Sequence, residues 1–301
     1  MGANHIAFRS PRQAPEPSAP PEPSLGAPGS LCHHPILVIV AASLFALYAA
    51  SAWMMLRSVN KPALGPLAWT VALAAIIAHS DAIAYMMMRS LGPFSIGLLE
   101  AASMLAWTLA MLACLIAIER QNRAIAAILL GLAAFGAALT GHGHAYAEEN
   151  APGWELTAHI LLSMGAAALL LAAAVTALVL VYMDRRLRAR RIADLPAALP
   201  PLDAIEKVMF RLIGAGFALL TLALLTGFIF VTNLWAQHLQ HKTILSCIAW
   251  IIFGVLLIGR VRYGWRGRAA VTWTLSGFGF LILSYFGSKF VLEYLLGRHW
   301  G

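Results

Sequence analysis

Residues 141–163, GHGHAYAEENAPGWELTAHILLS, place histidines and glutamates between two long apolar runs and include no lysine or arginine. A neutral imidazole can ligate haem iron, and because its pKa lies near neutrality it can also relay protons. In the GHGH turn, His142 and His144 could hold a metal with Glu148 or Glu149, which together would supply nitrogen and oxygen ligands. A solvated loop explains the same residues without a metal, so both interpretations stay open.

Four ionisable residues lie inside apolar segments: His79, Asp81, Glu100 and His159. Such groups cost roughly 2.5–3.5 kcal/mol each on membrane-insertion scales, so they usually face the interior of a helix bundle. There, His79 and His159 could be haem-iron ligands or proton carriers. Otherwise each is an interfacial histidine that is hydrogen-bonded to a neighbouring helix. Asp81 and Glu100 are expected to be polar partners of inward-facing groups or simply interface residues.

The segments that must position these residues are membrane helices. Of the 301 residues, 60% are hydrophobic and 11% are charged, and the mean hydropathy of +0.77 lies well outside the soluble average. Crossing the ~30 Å hydrocarbon core takes about 20 apolar residues as a helix, and the alternating pattern of a closed barrel is absent from the sequence. The sequence therefore predicts an all-α, polytopic integral membrane bundle of about eight transmembrane helices, at 36–56, 66–88, 95–118, 124–141, 157–183, 208–232, 243–259 and 271–291.

Arginine and lysine near the ends of these segments predict the orientation, because they are enriched in cytoplasmic connections. They follow the first, third, fifth and seventh segments, most densely in 184–207 and 260–268, whereas 141–156 has none. The sequence thus predicts that both termini lie outside (N-out/C-out), in a bacterial inner membrane. Six of the ten histidines would then collect at the outer face: His79, His142, His144, His159, His238 and His241.

Residues 1–34 are rich in Pro, Ala and Ser, which predicts a disordered tail before one membrane domain at 35–301. We expect no signal peptide, because the first apolar segment begins late and is long enough to span. The three cysteines form no CxxC or CxxCH motif, which argues against a disulfide framework and covalent haem attachment. Walker, GxSxG and GxGxxG motifs are absent too, which argues against a nucleotide enzyme, kinase or hydrolase. The net charge of +8 belongs mainly to the connections, so nucleic acid is not an expected partner.

The sequence after residue 35 resembles the CcsA/ResC/CcmC-type cytochrome c assembly membrane proteins, and among them the short HemX/YpjD-like branch. AHSDAIAY (78–85) is loosely similar to an early histidine-bearing span of that family. The similarity is specific from residue 154 onward, in WELTAHILLSMG (154–165), LPPLDAIEKVMFRLIGAGFALLTLALLTGFIF (199–230), HKTILSCIAWIIFGVLLIGR (241–260) and GWRGRAAVTWTLSGFGFLILSYFGSKFVL (264–292).

This resemblance implies haem handling at the outer face, with haem b bound non-covalently. The favoured iron ligands are His159 and His79, and His241 is the alternative ligand. In larger members a tryptophan-rich external segment presents the haem. The corresponding run here, NLWAQHLQHKTIL (233–245), keeps Trp235 and Lys242. His241 and Lys242 could supply a ligand or contact a haem propionate from outside, or they could simply anchor the helix at the membrane interface. Because the other tryptophans are missing, the resemblance implies an assembly factor that binds haem rather than an enzyme that ligates it.

Two other classes of function stay open at this point. A small-solute or proton-coupled transporter would have paired Gly/Pro breaks at mid-membrane, and no two segments have them in matching positions. A regulatory scaffold would bind an enzyme of tetrapyrrole synthesis through its basic cytoplasmic connections. The expected partners are therefore membrane lipid, haem, and other cytochrome c assembly or tetrapyrrole-synthesis proteins.

Overall fold

The computed structural model describes residues 35–89, 98–141, 154–189, 200–230 and 240–287, and in these ranges it contains helices and turns but no strand. The predicted tail, 1–34, lies outside the described residues. A 3₁₀ turn at Arg120–Asn122 precedes the fourth α-helix, and a π-helical turn at Leu283–Gly287 follows the eighth. The described part confirms the predicted eight helices: α1 Pro35–Arg57, α2 Leu64–Arg89, α3 Leu98–Ala117, α4 Arg123–Ala137, α5 Trp154–Arg188, α6 Leu202–Phe230, α7 Gln240–Tyr263 and α8 Gly267–Ile282.

Six of these helices, α1, α2, α3, α5, α6 and α7, are long and apolar enough to cross a membrane. α4 has 15 residues and α8 has 16, so at about 1.5 Å per residue each is shorter than the ~30 Å hydrocarbon core. The predicted segments 124–141 and 271–291 are longer than α4 and α8. The apolar run continues past α4 into a turn that is described as far as Gly141, and past α8 into the π-helical turn.

Small side chains let neighbouring helices approach closely in this bundle. α4 packs against α1 and α3, α5 packs against α6, α8 and α3, and α7 packs against α8. On α3, Ala106, Ala110 and Ala113 are buried at helical spacing. On α4, a Cβ added to Gly136 would lie only 2.6 Å from the Cβ of Ala106. Because lipid tails are as apolar as leucine, such close packing is a main source of helix association in membranes.

The helix ends that carry basic residues meet at one end of the bundle, which we call the basic end. Glu206, near the start of α6, accepts hydrogen bonds from Arg260 near the end of α7 (2.7 Å) and from Arg266 (3.0 Å). The ends of α1, α3 and α5 are joined to other helices there by Arg123–Ser58 (3.4 Å), Arg211–Glu119 (3.2 Å) and Arg268–Asp184 (3.6 Å). The described ends of the helices that flank the four basic connections therefore share one side of the bundle, and which face of the membrane this is stays a prediction.

Candidate functional site

A cavity of about 290 Å³ lies between α3, α5, α6, α7 and the end of α8. Its walls are mostly apolar, with a few polar side chains among them, which is the usual make-up of a small-molecule site. The apolar wall includes Leu105, Met164, Leu220, Leu224, Phe228, Phe278 and Leu281, and the polar lining includes His159, Ser163, Lys242, Thr243, Ser246, Ser284 and Tyr285.

His159 enters this cavity from the second turn of α5. The side chain is half-buried, and its Nδ1 lies 3.1 Å from the Oγ1 of Thr226 on α6. α5 and α6 form the most extensive helix pair of the described bundle. The histidine is therefore carried by a well-packed helix pair at the edge of an apolar cavity.

Lys242 enters the same cavity from the first turn of α7. Ser284, in the π-helical turn, donates a hydrogen bond to the Lys242 carbonyl (2.8 Å), and its hydroxyl lies 2.7 Å from that of Ser246. These contacts tie the start of α7 to the turn that follows α8. His159 and Lys242 thus line one cavity, and an imidazole with an ammonium group suits a ligand that combines a metal with a carboxylate.

His79 lies elsewhere, fully buried where α1, α2 and α3 meet the turn after α4. Its Nδ1 lies 3.3 Å from the Tyr48 hydroxyl, and its Nε2 lies 2.9 Å from the Ser103 hydroxyl and 3.2 Å from that of Thr140. Ser103 and Thr140 are also 2.8 Å apart. We call these four residues the His79 network, in which both ring nitrogens already have hydroxyl partners.

Helix α3 separates the His79 network from the cavity. Ala101 and Leu105 of α3 line the cavity, whereas Ser103 bonds to His79. Side chains two positions apart on an α-helix point to nearly opposite sides. The structure therefore brings His159 together with Lys242, and it does not bring His79 to the same place.

Of the remaining predicted ligands, only His241 lies within the described residues. Trp235, His142, His144 and His238 lie outside the described residues. His241 lies in the first turn of α7, directly before Lys242. Within the described ranges, no group of three or more His, Cys, Asp or Glu side chains is arranged to hold a metal ion.

The hydroxyl partners of both histidines are the site residues that the sequence did not reveal. Tyr48, Ser103, Thr140 and Thr226 each lie in or beside an apolar segment where a single hydroxyl residue is unremarkable in sequence. A helical serine or threonine can also satisfy its hydroxyl on its own backbone, as Thr226 does with the carbonyls of Leu222 and Ala223. The pairing with a histidine therefore becomes visible only when the helices are assembled.

Comparison with known proteins gives one family and several relatives. Residues 95–296 match the family described as "Cytochrome C assembly protein". Inner membrane protein YpjD of Escherichia coli strain K12 is 39% identical over 145 residues, which cover 48% of this chain and 54% of that protein. A cytochrome c biogenesis protein CcsA of Gloeobacter violaceus is 30% identical over 100 residues, which cover 33% of this chain and 30% of that protein.

An uncharacterised 28.8 kDa protein of Azospirillum brasilense is 36% identical over 150 residues, which cover 49% of this chain and 55% of that protein. This chain therefore spans about half the length of YpjD and of the Azospirillum protein. No solved structure is significantly similar to it.

Proposed function

We propose, from the premise that this chain belongs to the cytochrome C assembly protein family, that it binds haem non-covalently and acts in cytochrome c assembly. The chain is a multi-pass protein of the bacterial inner membrane, as its apolar helices and its similarity to inner membrane protein YpjD indicate. In this proposal it is an assembly factor that holds haem b near the outer face and passes it on without changing its covalent structure. Its partners are haem, membrane lipid and other assembly proteins.

The observation that supports this proposal best is that His159 and Lys242 line one apolar cavity. The chemical groups of these residues are of the types that bind haem. An imidazole nitrogen is a common axial ligand of haem iron, an ammonium group pairs with a carboxylate, and apolar walls suit a flat hydrophobic ring. The volume of about 290 Å³ is just below the ~300–1,000 Å³ typical of small-molecule sites.

Each residue of the cavity has a distinct task in this proposal. His159 holds the iron through one ring nitrogen while Thr226 engages the other. Lys242 attracts a propionate, and the pairing is strengthened because the surrounding side chains exclude water. The apolar wall formed by α3, α6 and α8 keeps the ring out of lipid and away from bulk water.

Trp235 and His241 are proposed to complete the site from the segment that joins α6 to α7. Phe228 and Lys242, the described residues near the two ends of this connection, both line the cavity. His79 is not assigned to the same iron in this proposal, because its ring nitrogens face hydroxyl groups on the far side of α3.

The test is haem titration of the detergent-purified protein, followed by its absorption spectrum in the oxidised and reduced states. Losing an axial ligand makes the iron high-spin or releases the haem. His159→Ala should therefore weaken haem retention by about tenfold or more and change the spectrum. His142→Ala, in the GHGH turn that lies outside the described residues, should change neither.

Lys242→Gln should weaken binding through the loss of the propionate partner, with a smaller salt dependence than in the wild type. Lys61→Gln is the matched control, because Lys61 is an exposed lysine at the basic end. The proposal would be wrong if the wild-type protein bound no haem in either redox state but moved a solute across the membrane of vesicles. A transporter function would then be the better proposal.

A further inference from the structure

His159 is held against α6 by two consecutive residues, Thr226 and Gly227. The Thr226 hydroxyl lies 3.1 Å from Nδ1 of His159 and also donates to the carbonyl of Leu222 (3.0 Å) or Ala223 (2.9 Å). A hydroxyl has a single proton to donate but can accept through its lone pairs. When that proton is donated to the helix backbone, the Thr226 oxygen accepts from His159 and Nδ1 carries a hydrogen.

Gly227 supplies the space in which the ring lies. A Cβ built on Gly227 would be 3.2 Å from Cε1 and 3.6 Å from Nδ1 of His159. A contact of 3.2 Å is tighter than carbon atoms normally accept, so an alanine here would push the ring away from α6. The Nδ1–Cε1 edge of the ring therefore faces α6, and Nε2 is the next ring atom beyond Cε1.

The other ring nitrogen of His159, Nε2, is the one available to the cavity that this residue lines. A neutral imidazole with a hydrogen on Nδ1 has an unprotonated Nε2. Among the described residues, the side-chain hydrogen bond of the His159 ring is made by Nδ1, and the backbone of Ala223 is a further partner of the ring on the α6 side. An unprotonated ring nitrogen at an apolar cavity is the form of histidine that binds a metal centre, and a fixed acceptor on the other nitrogen orients such a ligand.

We infer that Thr226 and Gly227 are positioning residues that hold His159 in the Nδ1–H form with Nε2 directed into the cavity. The ligand class is then an electron-pair acceptor such as the iron of a haem. This last step rests on the proposed function, whereas the assignment of the ring's protonated nitrogen does not. Thr226 acts through His159 and not by contact with the ligand.

NMR of the haem-free protein can show directly which nitrogen of the His159 ring carries the hydrogen. The full chain, labelled with ¹⁵N-histidine, is compared by NMR with His159→Gln to identify the His159 signals. The wild type and Thr226→Ser should both have Nδ1 protonated and Nε2 unprotonated. Thr226→Val, which keeps the shape but lacks the acceptor, should have a substantial fraction in the opposite form. A wild type protonated on Nε2, or a Thr226→Val variant with an unchanged ring, would overturn the inference.

Haem titration of the same variants gives a second, independent measurement. Thr226→Val should weaken haem binding by about tenfold or more, and Thr226→Ser should restore it. Gly227→Ala should weaken it too, whereas Gly214→Ala should not, because a Cβ at Gly214 of the same helix meets nothing within 4 Å.

Failure of the inference and failure of the proposed function give different results. Haem binding that is equal in the wild type, Thr226→Val and Gly227→Ala would contradict the positioning role while leaving haem binding intact. If the wild type binds no haem at all, the proposed function fails, and the NMR comparison alone decides whether Thr226 fixes the ring.

Discussion

At the residue scale, the two membrane histidines differ in what surrounds them. His79 is fully buried and has hydroxyl partners at both nitrogens, whereas in the described part of the chain His159 contacts the Thr226 hydroxyl and the Ala223 backbone and lines a cavity. Buried polar groups are costly when unpaired, and a fully paired network instead makes one arrangement of helices specific. We therefore expect the His79 network to support the fold and His159 to support binding.

His79→Ala should lower the stability of the haem-free protein by about 2–4 kcal/mol, because it opens a cavity and removes a partner from Ser103, Thr140 and Tyr48. His159→Ala, whose ring is only half-buried, should change stability much less. Thermal unfolding in detergent, followed by loss of helicity, measures both variants. A His79→Ala protein that is as stable as the wild type but has lost its haem spectrum would instead make His79 an iron ligand, as the family resemblance implies.

Sequence reasoning identified the histidines and Lys242 but not their partners, for a physical reason. Ionisable residues stand out in apolar segments because their insertion is costly. Hydroxyl residues do not, since they are cheap there and can bond to their own helix. The partners of His79 also come from positions 24, 31 and 61 residues away, and helical periodicity predicts a face but not the neighbour that covers it.

At the scale of elements, close approach of α3 and α4 depends on a single glycine. Gly136→Ala would bring a Cβ to 2.6 Å from the Cβ of Ala106 and 3.2 Å from the Ala102 carbonyl oxygen. Neither neighbour is a flexible side chain, so the helices must separate, and we expect a loss of about 1–3 kcal/mol.

Gly131→Ala is the matched control, on the same helix, since a Cβ there meets nothing within 4 Å. It should leave stability unchanged or raise it slightly, because alanine favours helix more than glycine does. Thermal unfolding of the two variants side by side measures the difference. Equal stability of both would contradict the close packing of α3 on α4.

The helices themselves were predictable because length and hydropathy suffice for membrane segments. The α-helical parts of α4 and α8 end at Ala137 and Ile282, before the ends of the predicted segments 124–141 and 271–291, although the apolar composition continues. The sequence did not identify the cavity, because Leu105, Leu224 and Phe278 are ordinary residues of their own helices. A cavity exists only through the distances between helices, which composition does not specify.

At the scale of the whole molecule, Glu206 connects three helices at the basic end. The side chain is nearly buried and accepts from Arg260 and Arg266, while the backbone N–H of Gly267 at the start of α8 lies 3.4 Å away. Glu206→Gln keeps the shape but leaves partly buried arginine charge uncompensated, and should lower stability by about 2–4 kcal/mol. The measurement is again thermal unfolding in detergent.

Glu119→Gln is the control for Glu206→Gln, because its ion pair with Arg211 is exposed. The hydrogen bond from Gln121 contributes most to lowering the pKa of Glu119, and Arg211 lowers this pKa further. Any stabilisation is therefore present above the ordinary carboxyl pKa and is lost as the pH falls through the lowered value. Solvent screens this pair, so no measurable change in unfolding is expected near neutral pH. If Glu119→Gln lowered stability as much as Glu206→Gln does, charge rather than burial would determine how strongly the ion pairs at the basic end stabilise the protein.

The orientation of the molecule in the membrane reduces to one choice, because the basic connections are joined to one another. Glu119–Arg211, Asp184–Arg268 and Glu206–Arg260 hold the ends of α3, α5 and α7 on one side, and the cavity lies toward the other end of α5. Basic residues favour the cytoplasmic face, so the basic end should be inside and the cavity should lie in the outer half.

Single cysteines at positions 188 and 148, in a chain without its native cysteines, test this orientation with an impermeant thiol reagent. In intact cells position 148 should react and position 188 should be protected until the membrane is opened. The opposite pattern would reverse the whole bundle, and it would move the His159–Lys242 cavity to the cytoplasmic half. Haem would then be held on the wrong side for delivery to an external cytochrome, and a regulatory role in the cytoplasm would become the better proposal.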